Sequence, residues 1–170
     1  MKMLNYQAFD QEIWDTELAS FVPETVYDMH IHMWSDIHRG QLTSEATGLR
    51  LDIDYKDHLA WAQKLFPGRE MHYLLLGTPI PGGINIEGHN DWMAQEMKQD
   101  PESAINMLVT PDMTPDYVAD QVRKHNFLGL KPYRIFAPEP HHCRIQDFLP
   151  ESFIEVADHL GLAITMHLSK

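Results

Sequence analysis

The chain has 170 residues, 44% of them apolar and 10% aromatic, enough for one compact domain with a core and too hydrophobic for a disordered segment. Thirteen basic side chains against 25 acidic ones leave a formal charge of -12, which argues against nucleic acid or an anionic membrane surface as partner. The single cysteine, Cys143, excludes an intrachain disulfide and any multi-cysteine metal cluster, and the acidic amino terminus and lack of a long apolar run make cytoplasmic the expected localisation.

Residues 1–25 read as an amino-terminal extension of one domain spanning 1–170. The run Val26-Tyr27-Asp28-Met29-His30-Ile31-His32 is the first expected strand. A helix over 55–66 carries Leu59, Ala62, Leu65 and Phe66 at helical spacing and stops at Pro67-Gly68. Residues 72–77 form a second strand, followed by a Gly- and Pro-rich loop at 79–83. Asn90 is expected to cap a helix reaching Lys98, and 104–109 to form a third, buried strand. Thr114-Pro115-Asp116 supplies a cap, a first-turn proline and an acid. The helix they open is striped by Tyr117, Val118 and Val122 and runs to about His125. Residues 127–131 are strand four. Pro150 then opens a helix with Phe153, Ile154, Val156, Ala157 and Leu160 inward and Gly161 as its stop, and 162–167 is strand five.

Strands alternating with helices imply right-handed βαβ units and a parallel sheet, in either a doubly wound fold or a barrel. An eight-stranded barrel takes ~250 residues, so a barrel of this kind is expected to be truncated after strand five.

Side chains alternate along a strand, so His30 and His32 are expected on one face together with Val26 and Asp28. Both histidines sit at the carboxyl end of strand one, where parallel α/β proteins bind ligands. His167 ends strand five on the same rim. Three imidazoles there have the donor chemistry of a catalytic zinc site, with Mn or Fe as alternatives, and an open position for water. Lys131 ends strand four with its amine near the rim, weighed against a lysine snorkelling to solvent. Arg134 offers bidentate capture of a substrate carboxylate, against a loop salt bridge. His141 and His142 follow in a nearby loop, and Trp34 is placed either as a pocket wall or as core. His58, His72, His125 and His159 fall to structural or solvated roles. No Gly-x-Gly-x-x-Gly, phosphate loop or Gly-x-Ser-x-Gly elbow is present.

Tyr27-Asp28-Met29-His30-Ile31-His32, Phe127-Leu128-Gly129-Leu130-Lys131 and Leu160-Gly161-Leu162-Ala163-Ile164-Thr165-Met166-His167 together resemble the amidohydrolase superfamily. The nearest branch is the amidohydrolase-related one that includes aminocarboxymuconate-semialdehyde decarboxylase, and the resemblance spans about residues 26 to 170. It implies an α/β fold of the (β/α)8 TIM-barrel type, with the metal on His30, His32 and His167. In some branches a carboxylated strand-four lysine bridges two metals, at the place of Lys131. The family's strand-six His and strand-eight Asp have no counterpart in this sequence, which puts activity of this chain in question.

The resulting expectation is a metal-dependent hydrolase acting on a small carboxylate-bearing substrate through a metal-activated water. A decarboxylase of the same family, with Arg134 orienting the leaving carboxylate, is the alternative. An alternative of another class is a non-catalytic α/β scaffold whose open sheet edges pair it into a homo-oligomer.

Overall fold

The computed structural model describes residues 5–38, 52–79 and 85–167; the expected loop residues 80–83 lie outside them. Five strands carry the fold: β1 (Thr25–Met33), β2 (Glu70–Gly77), β3 (Ala104–Val109), β4 (Gly129–Pro132) and β5 (Ala163–Ile164). They form one sheet in the order β1-β2-β3-β4-β5 with every pair parallel. A doubly wound sheet reverses its strand order at a switch point, whereas a barrel adds strands in sequence. The strand order therefore gives an α/β fold with the architecture of part of a (β/α)8 barrel.

The connecting helices begin and end where local chemistry dictates. Helix α1 (Ala8–Ile13) continues into a π turn, Trp14–Leu18, and buries Trp14 edge-on against Phe66 with ring centroids 5.9 Å apart. In α2 (Tyr55–Leu65) the Asp54 carboxylate accepts from the Asp57 amide at 2.9 Å. In α4 (Pro115–His125) the Thr114 hydroxyl accepts from the Tyr117 amide, and the helix stops at Asn126, whose φ of 56° closes it in the left-handed region. Gly161, with φ 66°, ends α5 (Glu151–Leu160) in the same way. Among the described residues no helix is long and apolar enough to cross a membrane.

Several boundaries differ from the sequence expectation. Helix α3 (Ile86–Met97) is capped by Asn85, which accepts from the Gly88 amide at 3.0 Å. Asn90 lies inside α3 instead, buried, with its amide clasping Leu108: it accepts from the Leu108 N–H and donates to the Leu108 carbonyl, both at 2.9 Å. A polar side chain in a helix interior is tolerated because a backbone partner waits across the layer. Leu65 and Ile154, expected inward, are 40% and 43% exposed. The buried stripes run instead through Tyr55 and Ala62, and through Phe153 and Ala157, leaving Leu65 and Ile154 on the flanks of their helices. Strand β4 starts at Gly129 rather than 127, and β5 covers only Ala163–Ile164, with His167 joined by a single bridge to Tyr133.

The sheet has two unlike faces. Ile31, Met33, Tyr73, Leu75, Ile105, Met107, Val109 and Leu130 form the core beneath the helices with Met93, Val118, Val122, Phe153 and Ala157. Each such side chain stabilises the fold by roughly 1.5–3 kcal/mol when fully buried. The pairing partners His32–Leu76, Leu76–Asn106, Asn106–Gly129 and Gly129–Ala163 lie in register across the opposite, concave-side face of a barrel sheet. Gly129 is required there: a Cβ at this position would come within 2.2 Å of the Ala163 carbonyl oxygen and 2.7 Å of Asn106 Oδ1.

One irregularity decides where β1 points its side chains. Asp28 pairs with Tyr73 but Ile31 with Leu75, so the ladder holds one extra residue of β1 between them. Such a bulge flips the alternation. Val26 and Asp28, expected beside the histidines, therefore share the helix-covered side through their partners Met71 and Tyr73, while His32, opposite Leu76, occupies the other face. Asp28 accepts from the His30 amide at 3.0 Å, which pins the bulge.

Candidate active site

At the carboxyl ends of the strands lies a pocket of about 430 Å³, lined by His32, Trp34, Thr78, Pro79, Tyr133, Arg134, Ile135, Pro140, His141 and His167. Its walls follow from topology: β1 delivers His32 and Trp34, the turn after β2 delivers Thr78, β4 runs out into Tyr133 and Arg134, and the segment after β5 ends at His167. Thr78 is fixed by donating to the Met33 carbonyl at 3.0 Å, and the backbone of Trp34 bridges to Ile53.

The two strand-one histidines stand together, ring centroids 5.1 Å apart at 69°. His32 is half-buried and its carbonyl accepts from His58 Nε2 at 3.0 Å, tying β1 to α2. Burial lowers the His32 pKa to about 4, aided by neighbouring His30 and Lys131 and, more weakly, His167, against a hydrogen bond to the Gly77 backbone that raises it. At neutral pH the ring is uncharged and keeps a lone pair. His167 sits 5.5 Å, centroid to centroid, from the ring of Tyr133.

Lys131 reaches this face but not the pocket lining. Its side chain is fully buried, Nζ has no hydrogen-bond partner, and the amine lies 4.8 Å from the centre of the Tyr133 ring. Burial lowers its pKa from the ordinary lysine value. Arg134 is on the wall with its guanidinium tied to the chain: Nε donates to the Pro140 carbonyl and Nη2 to that of His141 at 3.1 Å. It thus shapes the loop that brings His141 to the pocket. His142 is exposed and outside the lining.

Two residues here were not singled out by sequence reasoning. Tyr133, between Pro132 and Arg134 in the sequence, is 3% exposed and central to the site. Its phenol, held protonated by burial, donates to the Gly77 carbonyl at 2.9 Å. The signal available was its place just past the end of strand four, in phase with Gly129 and Lys131. His89, on α3, is 1% exposed with neither ring nitrogen hydrogen-bonded. It packs against Trp92 and His38, and burial, then His38, lowers its pKa to about 4.

Two imidazoles on one tetrahedral ion, bound through ~2.0–2.1 Å bonds, have ring centroids roughly 5 Å apart, which the His30–His32 separation matches. His32 is neutral, as a ligand must be. Among the described residues, no group of three or more His, Cys, Asp or Glu side chains is placed to hold an ion as they stand. The donors thus fit in kind and as a pair; His32 and His167 line the pocket, while His30 is exposed and outside its lining.

No family model matches the sequence, and no curated protein matches it. Among solved structures, the chain is similar to a probable 2-pyrone-4,6-dicarboxylic acid hydrolase from Acinetobacter baumannii, determined with citric acid bound. The TM-score is 0.54 at 14% identity, covering 84% of this chain and 49% of that one. The chain spans about half the length of that protein, and at this identity the likeness bears on the fold.

Proposed function

We propose that this chain carries the metal-binding half of a hydrolase active site for a small carboxylate-bearing substrate, with His30, His32 and His167 as ligands of a divalent metal, zinc first. One observation carries the reading: His32, Tyr133, Arg134 and His167, from three strands, line a single pocket at the carboxyl ends of the sheet. The similarity to a probable dicarboxylic acid hydrolase supports the same class. A bound metal would supply Lewis-acid polarisation of a carbonyl and activation of water.

The chain's own residues supply the rest. Trp34, Ile135, Pro79 and Pro140 give the pocket apolar walls that exclude water from a small organic body. Arg134 places its positive charge on the wall, where it attracts a substrate carboxylate, and the buried Lys131 amine lies behind the Tyr133 ring. Neutral His32 keeps its lone pair at neutral pH.

The test is metal content by plasma mass spectrometry, beside turnover of a panel of lactones, esters and aromatic carboxylates with and without chelator. The expected result is stoichiometric metal that disappears in His30→Ala/His32→Ala, and turnover that chelator abolishes. A folded chain that binds no zinc, manganese or iron would overturn the reading. Release of carbon dioxide instead of a hydrolysis product would replace the hydrolase with a decarboxylase.

A further inference from the structure

The Tyr133 hydroxyl joins three parts of the site. It donates to the Gly77 carbonyl at the end of β2 at 2.9 Å and stands 3.4 Å from Nδ1 of His32 on β1. The ring that carries it leaves β4, covers the Lys131 amine at 4.8 Å and lies beside the His167 ring at a tilt of 38°. With only 3% of the residue exposed, these contacts are held by packing on every side.

The assignment of hydrogens follows from what each group is able to give. A backbone carbonyl only accepts, so the single phenolic proton points at Gly77. What the oxygen then offers His32 is a lone pair, and a ring nitrogen facing a lone pair carries the hydrogen. The Gly77 carbonyl, which takes the phenolic proton, is itself an acceptor close to the His32 ring.

We infer that Tyr133 is a positioning residue that holds His32 in its Nδ1–H tautomer, leaving Nε2 as the nitrogen with a lone pair for whatever the pocket binds. The inference deepens the metal-site reading, on which its purpose rests, by naming the group that orients one ligand from behind. Its geometry involves only residues of this chain, so it is tested without a metal.

The experiment is long-range proton–nitrogen correlation NMR on the full, metal-free chain at neutral pH, with His32 assigned by the signals lost in His32→Gln. The expected wild-type spectrum shows Nδ1 protonated and Nε2 bare. A 3.4 Å contact is a long hydrogen bond, so in Tyr133→Phe, which keeps the ring over Lys131 and beside His167, the Nδ1–H to Nε2–H ratio is expected to fall roughly two- to fivefold. His58 is the internal reference: its Nε2 bonds the His32 carbonyl, and its tautomer is expected to stay the same. An Nε2–H tautomer in the wild type overturns the inference, as does an unchanged ratio in Tyr133→Phe. A matching shift of His58 also overturns it, because it marks a general rearrangement rather than a local hydrogen bond. Should Tyr133→Phe not fold, the wild-type tautomer decides alone. Metal content is a separate measurement, so failure here and failure of the metal site are told apart.

Discussion

The two ends of the sheet treat buried polar groups in opposite ways. At the amino end, Asp100 is a saturated hub: one of its oxygens accepts from Tyr55 Oη at 3.0 Å, His72 Nδ1 at 2.9 Å and the Ser103 hydroxyl, the other from the Glu102 amide at 3.0 Å. Burial alone would push its carboxyl up, but the hydrogen bonds from Ser103, His72, Glu102 and Tyr55 outweigh it and leave the pKa below the ordinary value. At the carboxyl end, Lys131 Nζ and both nitrogens of His89 are buried with no hydrogen-bond partner at all, whereas Arg69 Nε, unpartnered at the amino end, belongs to a guanidinium whose Nη2 donates to the Ala19 carbonyl. Native proteins leave few such atoms, and each one raises a question of purpose. The contrast separates an end that holds the fold from an end whose polar groups are kept for something other than one another.

The sharpest way to break this contrast is to remove the hub. Asp100→Ala strands several buried donors at once, each worth about 1–3 kcal/mol when left unpaired, so equilibrium urea unfolding should show a loss of about 3–5 kcal/mol. A loss under 1 kcal/mol would mean that the network is not holding the amino end.

The next effect is pH dependence at the other end. Folding keeps His89 neutral down to about pH 4, while the unfolded ring takes a proton near 6.5. Below 6.5 the unfolded state therefore binds the extra proton, and stability contributed by the neutral ring is full above that pH and declines as pH falls towards 4. The limiting loss is roughly 3 kcal/mol at 1.36 kcal/mol per pH unit. His89→Leu should flatten the fall in thermal midpoint between pH 6.5 and 4; an equally steep fall in the variant would assign it to other groups.

The smallest effect has the opposite sign. Lys131→Met exchanges a buried, unpaired amine for an apolar chain of similar length, and should stabilise the chain by about 1–2 kcal/mol in urea. The same substitution is expected to weaken any turnover the site supports. A destabilised variant would show that the amine has a native role in folding that its missing hydrogen bonds conceal.

Much of this was legible in the sequence because it depends on local pattern. Alternating apolar strands and helix signals marked five strands and the four helices between them, though not α1, and the carboxyl-end position of His32, Arg134 and His167 followed from reading strand direction. The parts that were not legible depend on partners distant in sequence. The bulge in β1 exists only as a mismatch of count against β2, so the placement of Asp28 with the histidines failed. Asn90 looks like a cap until Leu108 is seen across the layer. His89 is a helix residue like its neighbours until the packing of Gly77 and Met93 around it is known: a Cβ on Gly77 would meet the His89 ring at 3.3 Å. Tyr133 reads as a loop aromatic because its importance lies in one oxygen's distance to two other strands.

The extra residue in β1 also says how this strand can change over time. Below it, the strand answers to the helices through Val26; above it, the strand answers to the pocket through His32. A bulge lets these two halves drift independently, since substitutions on either side need not share one alternation. Loss of the single residue Ile31, just above the bulge, would turn the imidazole inward to the helices while leaving composition and length nearly untouched. In that stretch it is the number of residues, more than their identity, that natural variation has least freedom to alter.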